Sequence, residues 1–300
     1  MRYVVTGGAG FVGSHLVKLL VKEGHKVSVI DNLHKGKKEN LDPIIKDIEF
    51  FQVDIRDHEK MEKILTNIDG VFHQAALTVV QESFTKNKEY YDVNVRGTEN
   101  IFKIALKNKF KVVFASSSSV YGHKKTIPIS ENMEKIPINP YGQTKLEDEY
   151  LAEKYSKLGA KISGLRYFNI FGRGQTPEYA GVITKFLERI KNEQSPIIFG
   201  DGSQIRDFIY VGDIVKANLA IMEKNVSDIF FNIGTGNTIS ILELAKMMLQ
   251  ISGLNKEPEF KEKLEGDIMK SQADISLIKE RYEWNPTIKL ENWLKEIIEN

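Results

Sequence analysis

Tyr141 and Lys145 stand four residues apart in Asn139-Pro140-Tyr141-Gly142-Gln143-Thr144-Lys145. In a helix that spacing puts a phenol hydroxyl and an ammonium on one face. Asn139 is a good N-cap and Pro140 a good first helical residue, so a helix is expected to begin here. A free tyrosine ionises near pH ~10 and is a poor base at neutrality. A neighbouring ammonium favours the phenolate and brings it toward working range. Upstream, Ala115-Ser116-Ser117-Ser118-Ser119-Val120-Tyr121-Gly122 closes a β-branched run in hydroxyls. Hydroxyls at the C-terminal edge of a parallel strand face the crevice where ligands of such sheets bind. Each stretch alone is ordinary: Y-x-x-x-K occurs in many helices, and a serine run also makes a turn.

What joins them is the glycine run Gly7-Gly8-Ala9-Gly10-Phe11-Val12-Gly13. Gly8-Ala9-Gly10-Phe11-Val12-Gly13 fits G-x-G-x-x-G, follows a strand pattern and opens an amphipathic helix. These glycines permit a tight turn and close approach of a pyrophosphate to free helix N–H groups. Asp31 ends the next strand pattern, the context that a dinucleotide fingerprint requires. A carboxylate there accepts bonds from the adenosine ribose and repels a 2′-phosphate, which predicts NAD over NADP. A positive nicotinamide ring would add to the charge favouring the Tyr141 phenolate. Asp54, in Val53-Asp54-Ile55, is placed to cap the adenine amine, although a turn aspartate would look the same. Lys35, Lys37 and Lys38 crowd the loop beyond Asp31, as phosphate contacts or as a solvated loop.

The elements needed to position these residues are legible as alternation. Strand patterns at 2–6, 26–31, 48–53, 70–73, 111–115 and 161–166 are separated by amphipathic stretches at 11–23, 58–66, 90–107 and 141–158. That rhythm predicts an α/β fold with a Rossmann doubly wound parallel sheet. After about residue 170 it changes, with helices expected near 178–192, 212–224, 240–251 and 290–298 and strands at 197–199, 205–209 and 229–232. The division expected is an NAD-binding domain over 1–172, to which the chain returns near 210–235, and a smaller mixed α/β substrate domain over 173–300. Their cleft is the default ligand site.

Composition narrows the chemistry. Of 300 residues, 42 are Lys or Arg and 41 Asp or Glu, so no net field draws nucleic acid or an anionic membrane. Cysteine is absent, which excludes disulfides, thiolate nucleophiles and cysteine-bound metal. The six histidines lack H-x-x-x-H or H-x-H spacing, so no metal site is expected. Met1 leads straight into the first strand and no apolar run reaches membrane-spanning length, so a cytoplasmic protein is expected.

With these residues in view the chain resembles the extended short-chain dehydrogenase/reductases, and among them the NAD-dependent UDP-sugar 4-epimerases. The likeness runs nearly end to end: TGGAGFVGSHL (6–16), DN (31–32), HQAA (73–76), NVRGT (94–98), SSSSVYG (116–122), YGQTK (141–145), RYFNIFG (166–172), RDFIYVGDIV (206–215), FNIGTG (231–236) and GD (266–267). It implies cofactor contacts from Gly7, Gly10, Phe11, Val12 and Gly13, and from Asp31, Asn32, Asp54 and Ile55. It adds Ala75, Ala76, Asn94, Tyr141, Lys145 and Tyr167. It implies a catalytic set of Ser117, Tyr141 and Lys145: Tyr141 removes the sugar O4 proton, Ser117 hydrogen-bonds O4, and Lys145 holds the nicotinamide ribose. Substrate contacts are implied for Ser117, Ser118, Tyr141, Asn169, Arg206, Asp267 and Ser271, with Asn169 and Arg206 on the diphosphate.

The choice among related reactions turns on Ser118-Ser119. Dehydratases of this fold carry an Asp-Glu pair there, and the related decarboxylases usually keep the glutamate. Hydroxyls cannot abstract a proton from carbon at neutral pH. What remains is oxidation and re-reduction at C4, a UDP-sugar 4-epimerase that recycles its NAD. The alternatives are a 4,6-dehydratase, a UDP-glucuronate decarboxylase, or a non-catalytic NAD-binding scaffold. Two departures stand out: Leu264 occupies the place of a usual phosphate-binding arginine, and Arg173-Gly174-Gln175 replaces Pro-Arg-Gln or Arg-Arg-Gln. Ser271, where glucose-restricted epimerases have tyrosine, predicts room for a 2-acetamido group. Family members dimerise through helices matching 90–107 and 141–158, so a homodimer is expected, with Ile101 and Leu151 read as exposed apolar residues.

Overall fold

The computed structural model of the chain describes residues 1–175, 181–224 and 226–299. Seven strands form the central sheet: β1 (Arg2–Thr6), β2 (Lys26–Ile30), β3 (Ile48–Phe51), β4 (Gly70–His73), β5 (Lys111–Ser117), β6 (Lys161–Tyr167) and a late strand, Phe230–Ile233. The pairings are all parallel. With the short strands β7 (Asn169–Phe171), β8 (Ile197–Phe199), β9 (Ile205–Arg206) and β10 (Phe208–Tyr210) counted in chain order, the late strand is β11. The sheet order is β11-β6-β5-β4-β1-β2-β3. The winding reverses beside β1, and ligands of open α/β sheets bind at such a switch point.

Helices cover both faces, which is why Val112, Val113 and Phe114 of β5 are all buried. On one face α1 (Phe11–Lys22) packs with the helix Val211–Glu223 through Leu16, Val17, Leu20, Ile214 and Ile221. On the other lie α2 (His58–Ile64) and the helices Gly97–Asn108 and Pro140–Lys157. These contribute Met61, Ile101, Ile104 and Tyr155 to a second core. A third core lies beyond the sheet edge, around Phe171, Phe186, Leu244, Met248 and Trp293.

Several expectations change in detail. The stretch 90–107 is not one helix: α3 (Val80–Thr85) and α4 (Asn87–Tyr90) run into a wide π-helical turn at Tyr91–Arg96 before α5 (Gly97–Asn108). Ile101 is fully buried because α5 turns that face onto the sheet, and Leu151 is half-buried; neither is an exposed surface residue. The run 205–209 divides at Asp207 into β9 and β10. The later helices are α6 (Pro140–Lys157), α7 (Val182–Lys191), α8 (Val211–Glu223), α9 (Ile241–Ser252), α10 (Ser276–Tyr282) and α11 (Leu290–Glu299). The start of the expected helix 178–192 lies outside the described residues. The cores follow no single cut at 172/173. Besides α8 and β11, residues Ile275, Ile278 and Trp284 also sit in the first core. Among the described residues no helix is long and apolar enough to cross a membrane.

Candidate active site

The C-terminal ends of β1, β4, β5 and β6 open into a cavity of about 560 Å³. Gly7, Gly10 and the start of α1 line one end, and Ser117, Tyr141, Lys145 and Tyr167 the middle. Asn169, Arg206 and Asp267 follow, and Phe186, Ile197, Phe199 and Phe208 make an apolar far end. A recess of about 140 Å³ continues from Gly7 and Gly10 past Asp31, Asn32, Asp54, Ile55, Ala75 and Ala76.

The glycine turn is shaped by contact. Gly7 takes φ +68°, and a Cβ there would lie 2.7 Å from the Ala75 backbone nitrogen. A Cβ on Gly13 would come within 2.1 Å of the Gly7 carbonyl oxygen. Gly10 caps α1 without any side-chain bond, leaving the first helical N–H groups to an anion. Asp31 Oδ2 accepts from Ala9 N at 3.0 Å and Oδ1 from Leu33 N at 2.8 Å. These bonds tie the end of β2 to the turn, and burial raises the carboxyl's pKa. Asp54 is gripped by Arg56 Nε and Nη2 at 2.9 and 2.8 Å and by Asn32 Nδ2 at 3.0 Å. Its pKa is thereby held down at about 2, the Arg56 hydrogen bonds being the largest cause. A free helix N-terminus, a turn open to a phosphate and a carboxylate at the end of β2 fit a dinucleotide.

The three residues expected to react, Ser117, Tyr141 and Lys145, hang on two elements. Ser117 ends β5 in register with Tyr167 of β6, and its hydroxyl accepts from Ser119 N at 3.1 Å. Asn139 caps α6 by accepting from Gly142 N at 2.7 Å, with Pro140 in the first turn. The helix is clamped to the sheet by a buried fork: Arg166 Nε and Nη2 each donate to Glu149 at 2.8 Å. Such two-point geometry fixes a helix in rotation as well as position. Lys145, only 3% exposed, turns its ammonium to Asp148 Oδ2 at 3.1 Å. His73 lies beneath, its ring between Thr6 Oγ1 at 2.7 Å and Thr98 Oγ1 at 2.8 Å.

At the other end Arg206 Nη2 donates to Asp267 Oδ1 at 2.5 Å. Burial lowers the arginine's pKa against the pull of that carboxylate. Asp207 faces away and is structural. It accepts from Thr235 N, Gly236 N and Ala273 N at 2.8, 2.9 and 3.1 Å, pinning two loops together. Leu264 lines the wall where a cation was expected, and the exposed Lys185 of α7 is a cation on the same cavity.

Three residues assigned to the site by resemblance line neither cavity nor recess. Asn94 is fully buried in the π-turn; it exchanges bonds with Leu77 N and O at 2.8 and 3.0 Å and donates to Thr144 Oγ1 at 3.0 Å. It braces the β4 loop against α6. Ser118 begins a 3-10 turn that carries it past the strand end. Ser271 is buried, 4% exposed. Residues unforeseen from sequence include Gln74, whose side chain meets the Tyr167 hydroxyl at 3.2 Å, and Asp148. Only the latter had a readable signal, an acid three residues after a helical lysine. Among the described residues no cluster of potential metal ligands forms.

The sequence profile of the NAD dependent epimerase/dehydratase family matches residues 3–234. The chain belongs to this family, and NAD is the family's cofactor. Over all of this chain and 98% of the other, it is similar to a UDP-glucose 4-epimerase from Thermotoga maritima solved with UDP-glucose (TM-score 0.95, 38% identity). A UDP-N-acetylglucosamine 4-epimerase from Methanobrevibacter ruminantium, solved with UDP-N-acetylmuramic acid, aligns over 99% of this chain and 97% of its own (TM-score 0.93, 37% identity). A UDP-N-acetyl-alpha-D-glucosaminuronate decarboxylase from Bacillus cytotoxicus is 36% identical over 99% of this chain and 97% of its own.

Proposed function

We propose that this chain is an NAD-dependent UDP-sugar 4-epimerase, an isomerase acting on UDP-glucose/UDP-galactose and on the 2-acetamido pair. The carrying observation is the acid–base inventory of the cavity. Among its described lining residues Asp267 is the only carboxylate, and it is tied to Arg206. Elimination across C5–C6 needs an acid and a base at carbon. The groups present serve an alcohol instead.

In this reading bound NAD supplies a hydride acceptor that returns the hydride later in the same turnover. Tyr141 takes the O4 proton and gives it back, while Ser117 hydrogen-bonds O4. Lys145 holds the cofactor ribose. Arg206 and Asn169 anchor the diphosphate, so that the 4-keto sugar can turn its other face while tethered. Phe186, Phe199 and Phe208 offer the nucleotide base an apolar berth. The acetamido pair rests on the likeness to the UDP-N-acetylglucosamine 4-epimerase; Ser271 adds only a small, buried side chain.

The test is incubation of the purified protein with UDP-glucose, UDP-galactose, their 2-acetamido analogues and UDP-glucuronate, with products identified by NMR. C4 epimers without net NADH are expected, and Tyr141→Phe should abolish them. A 4-keto-6-deoxy sugar or a pentose product would overturn the reading. We further propose a cytoplasmic homodimer joined through α5 and α6. Tyr91, Tyr150 and Leu158 are 43%, 48% and 59% exposed around these helices, apolar area that a second copy would cover. Light scattering of the eluting protein tests it.

A further inference from the structure

Asp148 is a fully buried carboxyl that the mechanism above does not use. One oxygen, Oδ2, lies 3.1 Å from Lys145 Nζ, and Oδ1 has no hydrogen-bond partner among the described residues. A half-satisfied buried carboxylate is costly, and helix packing alone gives no reason to keep one. Its neighbour Glu149 shows the contrast. That carboxylate is consumed by Arg166, Ser116 and Lys135, and so is neutralised locally. Asp148 has no such fork: among the described residues it meets the Lys145 ammonium and the Thr98 hydroxyl.

We propose that Asp148 is a positioning residue for the Tyr141–Lys145 pair, holding the ammonium and setting how much positive charge reaches the tyrosine. The charged and titratable groups facing it are few. Lys145 and Glu149 come from its own helix, the Thr98 hydroxyl faces it from α5, and His73 of β4 lies beyond Thr98. Burial of His73 lowers its pKa to about 3 and keeps it neutral. The balance at the tyrosine is therefore set by Lys145 against Asp148. Burial raises the Asp148 pKa to about 7, with Lys145 opposing. As pH falls through that range the pair passes from neutral to singly positive. The charge held beside Tyr141 therefore depends on Asp148 as well as on Lys145.

The inference rests on Tyr141 being the base, but its test needs no turnover. Tyrosinate absorbance of the NAD-loaded protein is titrated from about pH 5 to pH 9, with Tyr141→Phe subtracted to isolate the one phenol. In Asp148→Asn the ammonium is unopposed at every pH. The midpoint is expected to lie lower than in the wild type, by about half a pH unit or more. Asp148→Ser should shift the same way and serves if the amide variant does not fold. Where a substrate is turned over, the acid limb of kcat moves with the absorbance. A midpoint that stays in place or rises in the folded variants overturns the proposal. A failure of the substrate assignment alone leaves the absorbance titration intact.

Discussion

His73 gives the sharpest stability test. It is 3% exposed and spends both ring nitrogens on the hydroxyls of Thr6 and Thr98. Desolvation, reinforced by the Lys145 charge, lowers its pKa from 6.5 to about 3. The unfolded chain binds a proton below pH ~6.5, whereas the folded chain resists it down to pH ~3, so stability falls as pH drops through this window. At about pH 5 the gap of about 1.5 pH units to the unfolded value corresponds to about 2 kcal/mol lost relative to pH 8. Asp148 has the opposite sign. Its raised pKa makes its contribution largest at low pH and removes it as pH rises through about 7. The wild-type profile therefore mixes two opposed effects, and only a comparison with a variant isolates the histidine.

That variant is His73→Gln, which keeps an amide toward Thr98 and gives up the bond to Thr6. At pH 8 it should be less stable by about 1–2 kcal/mol, one buried hydrogen bond and some packing. In urea unfolding at about pH 5 the gap should shrink by about 2 kcal/mol and close or reverse, because glutamine has no proton to refuse. If the gap is the same at both pH values, the ring is not held neutral by the fold and the reasoning fails.

Three further outcomes follow from the same geometry. Asp31→Ser should weaken NAD binding about 10- to 100-fold, the worth of a charge-assisted bond, and let NADP bind comparably, as calorimetry would show. Glu149→Gln should destabilise by about 3–5 kcal/mol by leaving Arg166 buried and unpaired, whereas Arg166→Met with Glu149→Leu should recover most of that in a denaturant melt. Asn94→Ala should cost about 1–3 kcal/mol by stranding Leu77 N and O, and should lower kcat more than it raises cofactor Kd, because the bonds of the residue brace α6.

Much of the sheet was legible because strands buried on both faces are written as unbroken apolar runs, as in Lys111–Ser117, and no other element competes for them. The glycine turn was equally plain, since its spacing is a steric requirement of the turn itself. Elements stabilised by single tertiary bonds were not. The π-turn at Tyr91–Arg96 interrupts a smooth helical pattern, and what keeps it there is Asn94 bonding to a loop 17 residues away. Ile101 read as exposed because periodicity identifies a face but not which neighbour it meets.

The site divides along the same line. Residues that line the cavity from strand ends and helix starts were legible, because α/β topology puts those ends in one crevice whatever the side chains are. Asn94, Ser118 and Ser271 came from likeness of motif, and they line neither the cavity nor the recess. Asp148 was missed for the converse reason. As one acid in Lys145-Leu146-Glu147-Asp148-Glu149 it looks like the solvated face of a helix. Only the packing of α6 against α5 and the sheet reveals that Glu147 is half-buried while Asp148 and Glu149 are wholly buried. Burial separates these three acids chemically. Glu149, paired with arginine, holds the helix in place. Asp148, whose ion pair among the described residues is with Lys145, has its charge coupled to a lysine that lines the cavity.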